Sequence, residues 1–321
     1  MLIFATATLA GFLLLVWGAD RFVHGAGAAA RNLGVSPLMI GLTIVSFATS
    51  LPEVLVSITA SLQAAPGLAI GNAIGSNIAN IGLVLGVTAV VSPIHLESAT
   101  LRREIPALLA VTLLAAMLCM DGDLGRNDGY VLIGGLGLLM YWITKLGFRS
   151  AATDPIRQEF EEEIPTNVTM RSAVISLVLG LIVLLAGANM LVWGAEEIAR
   201  AVGISDVIIG LTIVAVGTSL PELAVTVVSA MKNEHGLAIG NVIGSNMFNT
   251  LAVLGPAAAI HPIGLQPKIM SFHLPVMIAM TLVVFALTYD FSGRGKINRI
   301  EGLCLVIAFA AYHYYTFNYT L

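Results

Sequence analysis

The chain has 321 residues, 57% hydrophobic and 11% charged, with a mean hydropathy of +0.92 and a formal net charge of −4. Soluble domains carry roughly 25% charged residues, so this composition excludes a soluble globular fold and places the chain in a bilayer. The small net charge, without a basic stripe, excludes a nucleic-acid partner.

Apolar runs predict an all-α membrane protein of ten transmembrane helices, near residues 3–29, 37–63, 69–92, 104–120, 128–147, 172–199, 206–230, 237–260, 271–289 and 300–317. About 20 apolar residues of helix cross the hydrocarbon. A β-barrel would show short stretches of alternating polarity, whereas segments such as 173–191 are apolar all round. The first run begins at the second residue, lacks a basic n-region, and has no small-residue cleavage site before Asp20 and Arg21. It reads as a retained helix. Asp20, Arg21 and His24 read as polar contacts at a helix end.

The second span carries Thr49-Ser50-Leu51-Pro52-Glu53. An ionised carboxylate at the middle of a span is costly, so Glu53 marks a functional position. Pro52 has no N–H, and its ring clashes with the carbonyl of residue 48, which bends the helix and frees carbonyl oxygens in Ala48-Thr49-Ser50. Irregular backbone at membrane depth is tolerated where something satisfies it, and a bound ion does so. The third span opens with GLAIGNAIGSNIAN at 67–80. Gly71 and Gly75 have the small-xxx-small spacing of close helix packing. Ser76 and Asn80, four apart, share one helix face, expected to turn toward the acid.

Between spans four and five, Asp121, Asp123, Asn127 and Asp128 resemble an EF-hand loop, but Gly is not at its sixth position nor Glu at its twelfth, so they read as a tight turn. Cys119 and Cys304 fall in apolar segments and read as packing. The interval 148–171, with Glu159 and Glu161 to Glu163, is the one long polar stretch. It reads as a cytoplasmic linker and solvated loop between a first repeat, 1–147, and a second, 172–321.

The halves repeat one another. Residues 41–86 align without a gap to 210–255, with 25 of 46 positions identical at a constant offset of 169. The second copy supplies Thr218, Ser219, Pro221 and Glu222, then Gly240, Gly244, Ser245 and Asn249. Five spans per half is an odd number, so the second half enters the membrane from the opposite side and lies inverted. Transporters built this way hold their site near the midplane, at the repeat interface, on interrupted helices. With both termini outside, twelve of the fifteen Lys and Arg residues fall on or beside cytoplasmic loops, and only Arg126, Arg200 and Lys268 fall opposite.

Two carboxylates with carbonyl and hydroxyl oxygens make an all-oxygen shell suited to a hard cation such as Ca²⁺. None of the six histidines lies in either motif, so Zn²⁺ and Cu²⁺ have no support. Two negative charges neutralise Ca²⁺, whereas three Na⁺ would leave about one net positive charge, which makes exchange at that ratio electrogenic.

At these residues the chain resembles the sodium/calcium exchangers of the calcium/cation antiporter superfamily, whose two α-repeats carry Gly-Thr-Ser-Leu-Pro-Glu and then Gly-Asn-x-x-Gly-Ser-Asn. One departure is Ala48, where the family usually has the Gly kept here as Gly217. The resemblance implies that Glu53 and Glu222 are shared by Ca²⁺ and Na⁺, with the carbonyls of Thr49 and Thr218 in the Ca²⁺ shell. It assigns the hydroxyls of Ser50, Ser76, Ser219 and Ser245 to flanking Na⁺ sites, with the carbonyls of Ser46 and Ala215, and has Asn80 and Asn249 complete the centre. The family's potassium-dependent members have Asp at the position of Asn249, so the resemblance implies K⁺-independent exchange. Spans one and six are the family's movers, and they are expected to slide here.

The rival readings are a proton/calcium antiporter, since membrane carboxylates also cycle protons, and a cation channel, which usually gathers its ligands by oligomeric symmetry. No His-Glu-x-x-His or Gly-x-Ser-x-Gly motif supports an enzyme. The expectation is a multi-pass cell-membrane antiporter with Ca²⁺ and Na⁺ as substrates, no cofactor and no obligate protein partner.

Overall fold

The structure is a computed structural model that describes residues 1–96, 101–150, 168–203, 215–288 and 295–319. Its helices, in chain order, are α1 (Leu2–Leu33), α2 (Pro37–Thr49), α3 (Leu51–Leu62), α4 (Pro66–Val91), α5 (Leu101–Leu118) and α6 (Arg126–Ser150). The second half supplies α7 (Met170–Ala201), α8 (Leu220–Met231), α9 (His235–Ile260), α10 (Ile269–Thr288) and α11 (Arg299–Tyr319).

Six of these are long and apolar enough to cross a bilayer among the described residues: α1, α4, α7, α9, α10 and α11. A seventh joins them if α2 and α3, bent by 45°, count as one span. The expectation of ten spans in two inverted repeats goes beyond that count. The physical reasons are local: α5 opens with Arg102, Arg103 and Glu104, and α8 is apolar but only 12 residues long. Residues 204–214, the start of the expected seventh span, lie outside the described residues, as does most of the expected linker.

The helices α1 and α7 pack antiparallel along their length because glycine recurs every seven residues on both. A Cβ at Gly11, Gly18 or Gly25 would meet the backbone of Leu191, Leu184 or Leu177 at 2.4 Å, and Gly180 and Gly187 stand as close to Phe22 and Leu15. Without side chains at these positions, backbone meets backbone, the contact that replaces hydrophobic association inside lipid. This pair presents most of its surface outward, whereas α9 is buried throughout and α4 largely so. The core therefore forms around α4 and α9, from residues such as Ile70, Ile78, Ile243 and Leu251.

Two short antiparallel strand pairs tie the connections. Ile94–Leu96 (β1) pairs with Gly295–Ile297 (β4), and Asp123–Leu124 (β2) pairs with Ile263–Gly264 (β3). The acidic stretch after α5 is a turn, as expected: Asp121 Oδ1 accepts from the Asp123 N–H, and Asp128 Oδ2 accepts from the Gly125 N–H.

Candidate functional site

Both Thr-Ser-Leu-Pro-Glu segments fold alike. In the first the helix ends at Thr49, and in the second a single helical turn, Ala215–Gly217, ends before Thr218; φ is −85 and ψ 5 at Ser50, φ −88 and ψ 3 at Ser219, and a new helix starts at the leucine. Pro52 and Pro221 thus lie in the first turn of α3 and α8, where the absent N–H leaves no bond unmade. The expected bend is a full break. It places Glu53 and Glu222 at helix N-termini, whose partial positive charge favours a carboxylate.

Glu53 and Glu222 are each 1% exposed, so neither faces lipid. A hydrogen bond joins the halves, Ser50 Oγ donating to Glu222 Oε1 at 3.2 Å. Glu53 Oε2 and Glu222 Oε2 are buried and make no hydrogen bond among the described residues, and the same holds for Ser219 Oγ, Ser245 Oγ and both polar atoms of Asn80 and Asn249. Each buried neutral group left so costs about 1–3 kcal/mol, and a charge more. A cation held between these oxygens would offset that cost. Among the described residues no three His, Cys, Asp or Glu side chains gather to hold a metal; two carboxylates with neutral oxygens would suit a hard cation.

The expected residues come together unequally. Ser76 and Ser245 are buried on α4 and α9, one helical turn before Asn80 and Asn249. Asn80 and Asn249 each open a stretch of π-helix, Asn80–Leu85 and Asn249–Val253, so both amides sit where the α-helical bonding pattern gives way. Thr49 is fully buried and Thr218 half-buried. The Ser46 carbonyl is less free than the resemblance implies: it accepts the Ser50 N–H at 3.0 Å, and the Thr49 hydroxyl, whose one hydrogen it shares with Asn241 Oδ1, lies at 3.4 Å. In the second half the Ser219 N–H turns to the Val216 carbonyl instead of that of Ala215. The two carbonyls are therefore not equivalent, although the sequence pairs them.

Glycine in α9 serves packing. A Cβ at Gly240 would stand 2.6 Å from the Leu38 carbonyl, and one at Gly244 2.4 Å from Ser46 Oγ, so α9 lies directly against α2. Gly71 and Gly75 meet nothing within 4 Å among the described residues.

Sequence reasoning missed four asparagines. Asn72 and Asn241 bond to the main chain of the two acids. Asn77 donates to Thr250 Oγ1, and Asn246 is 1% exposed with neither side-chain atom partnered among the described residues. The signal was present, since all four recur at the 169 offset as polar residues inside apolar helices.

Comparison with known proteins gives a consistent picture. The sequence model of a family described as "Sodium/calcium exchanger protein" matches residues 3–145 and 172–318. CaxA of Alkalimonas amylolytica is 44% identical, over 99% of this chain and 100% of its own. The sodium/calcium exchanger MaX1 of Methanosarcina acetivorans is 34% identical, over 95% of each. A solved structure of the sodium-calcium exchanger NCX_Mj superposes with a TM-score of 0.83 at 36% identity, covering 97% of this chain and 98% of that one.

Proposed function

The chain belongs to the sodium/calcium exchanger family, and on that premise we propose that it is a multi-pass membrane antiporter that exchanges Na⁺ for Ca²⁺ by alternating access. The observation that carries this is the pair of buried acids, one from each half, with unpartnered carboxylate oxygens and a serine of one half donating to the acid of the other. Because both ions use the same two carboxylates, filling the site with one excludes the other, which couples the fluxes. Thr49, Thr218, Ser50, Ser219, Ser76, Ser245, Asn80, Asn249, Ser46 and Ala215 complete the proposed ligand set, Ser46 and Ala215 through unequal carbonyls. The exchange is electrogenic if three Na⁺ pass per Ca²⁺, and K⁺-independent with Asn at 249.

The proposal extends to ten crossings in two inverted repeats, 1–147 and 172–321, joined by a cytoplasmic linker at 148–171, with both termini outside. Two strand pairings support this alternation. The β1–β4 pair joins the connections after the third and ninth crossings, and the β2–β3 pair joins those after the fourth and eighth. The Asn32 amide also reaches the Val168 carbonyl, which brings the end of the first crossing beside the approach to the sixth. The α1–α7 pair, bound backbone to backbone, would slide as one body past the site.

The test is ⁴⁵Ca²⁺ uptake into proteoliposomes under a Na⁺ gradient, for wild type, Glu53→Gln and Glu222→Gln. Each substitution should abolish uptake, and undiminished transport by either would overturn the assignment. Uptake driven by a pH gradient in Na⁺-free buffer would replace Na⁺ with H⁺ as the coupling ion.

A further inference from the structure

We propose that Asn72 and Asn241 are positioning residues that set the Ca²⁺ affinity of the site by clamping the main chain of its two acids; this rests on the exchanger reading above. Asn241 is fully buried on α9. Its Nδ2 donates to Thr226 Oγ1 at 2.9 Å and to the Glu222 carbonyl at 3.4 Å, and Thr226 Oγ1 itself donates to that carbonyl at 2.7 Å. On its other side, Asn241 Oδ1 accepts from the Thr49 hydroxyl at 3.2 Å. One carboxamide thus ties together α9, the first turn of α8 and the last residue of α2, and so both halves of the chain.

The first half repeats the clamp. Asn72 Nδ2 donates to the Glu53 carbonyl at 3.1 Å and to Ser57 Oγ at 2.9 Å. All three pairs of positions, 72 and 241, 53 and 222, 57 and 226, stand at the offset of 169. A carboxamide suits this task because it offers donors and an acceptor in one plane, whereas Asp lacks the donor and Ala lacks both. Neither asparagine needs to touch the ion. Each holds the Cα from which a ligand carboxylate hangs, and Asn241 also holds Thr49, whose carbonyl belongs to the proposed Ca²⁺ shell. At Ca²⁺ ligand distances of roughly 2.3–2.6 Å, small shifts of either Cα change the fit.

The experiment measures Na⁺-driven ⁴⁵Ca²⁺ uptake against Ca²⁺ concentration for wild type, Asn241→Ala, Asn72→Ala and Thr226→Val, normalised to monodisperse reconstituted protein. The half-saturating Ca²⁺ concentration should rise about tenfold for each Asn→Ala variant, the ratio set by about 1.4 kcal/mol. Thr226→Val, which weakens only the hold on Asn241 and Glu222, should shift it in the same direction by about threefold, with the maximal rate within about twofold of wild type. A merely structural role would lower the maximal rate and leave half-saturation unchanged, and that result overturns the proposal. If Asn241→Ala does not fold, Asn72→Ala and Thr226→Val decide by the same criterion. Failure of the exchanger reading looks different, because wild type itself would then show no Na⁺-driven uptake.

Discussion

Replacing Gly18 with alanine tests whether α1 and α7 form one body. The new Cβ would sit 2.4 Å from Leu184 N, 2.7 Å from Leu184 Cα and 3.0 Å from the Gly180 carbonyl oxygen. These are all backbone atoms, so no rotamer change relieves the contact. Non-bonded carbon contacts settle near 3.5 Å, so the helices must part by about 1 Å at this level. Overpacking of this kind costs about 1–3 kcal/mol. Alanine also favours helix over glycine by about 1 kcal/mol, which opposes part of that cost. Gly134→Ala on α6 isolates the second effect, since its Cβ would meet nothing within 4 Å among the described residues. The assay is thermal unfolding of the purified protein in detergent, followed by tryptophan fluorescence, with Trp17 on α1 and Trp193 on α7 as reporters. Gly18→Ala should melt about 2–6 °C below Gly134→Ala, at about 2 °C per kcal/mol for a chain of this size. Gly187→Ala, whose Cβ would lie 2.5 Å from Leu15 N, should behave like Gly18→Ala. If Gly18→Ala melts at or above Gly134→Ala, the close seam does not exist and the sliding-pair account loses its basis.

Two further outcomes follow from named contacts. Asn298 caps α11: its Oδ1 accepts from the Ile300 and Glu301 N–H groups, while Glu301 Oε2 accepts from the Asn298 N–H. Asn298→Ala should cost about 1 kcal/mol, read as a melting temperature lower by about 2 °C with the Ca²⁺ half-saturation of wild type. Asn249→Asp adds a third carboxylate beside a site whose Asn249 amide has no partner among the described residues. Uptake should then become stimulated by K⁺, measured by adding K⁺ to both sides of the vesicle, and uptake indifferent to K⁺ would refute the role given to Asn249.

The site was legible wherever chemistry and repetition coincided. Glu53 and Glu222 stood out because an acid inside an apolar run is costly and because the same acid recurs 169 residues later. The break at Ser50 was legible through Pro52, although a kink was expected and the chain instead starts a new helix there. The role of Asn72 and Asn241 is not legible along the chain because it depends on a partner helix: the carbonyl each one holds lies 19 residues away in sequence, on the preceding helix. The small residues of α1 and α7 match across the repeat, but spacing alone does not say which glycines meet another backbone.

The sequence by itself determined that the chain is apolar enough for a bilayer, that it is doubled, and that two acids sit beside two prolines inside apolar runs. These follow from solvation cost and from backbone covalent geometry, which act locally. Only the tertiary structure decided which oxygens are already bonded and which are free, that Ser50 of one half reaches Glu222 of the other, and that Thr49 of one half reaches Asn241 of the other. Those outcomes depend on how α2, α8 and α9 cross, and hydrogen bonds over a few ångströms are set by that crossing rather than by spacing along the chain.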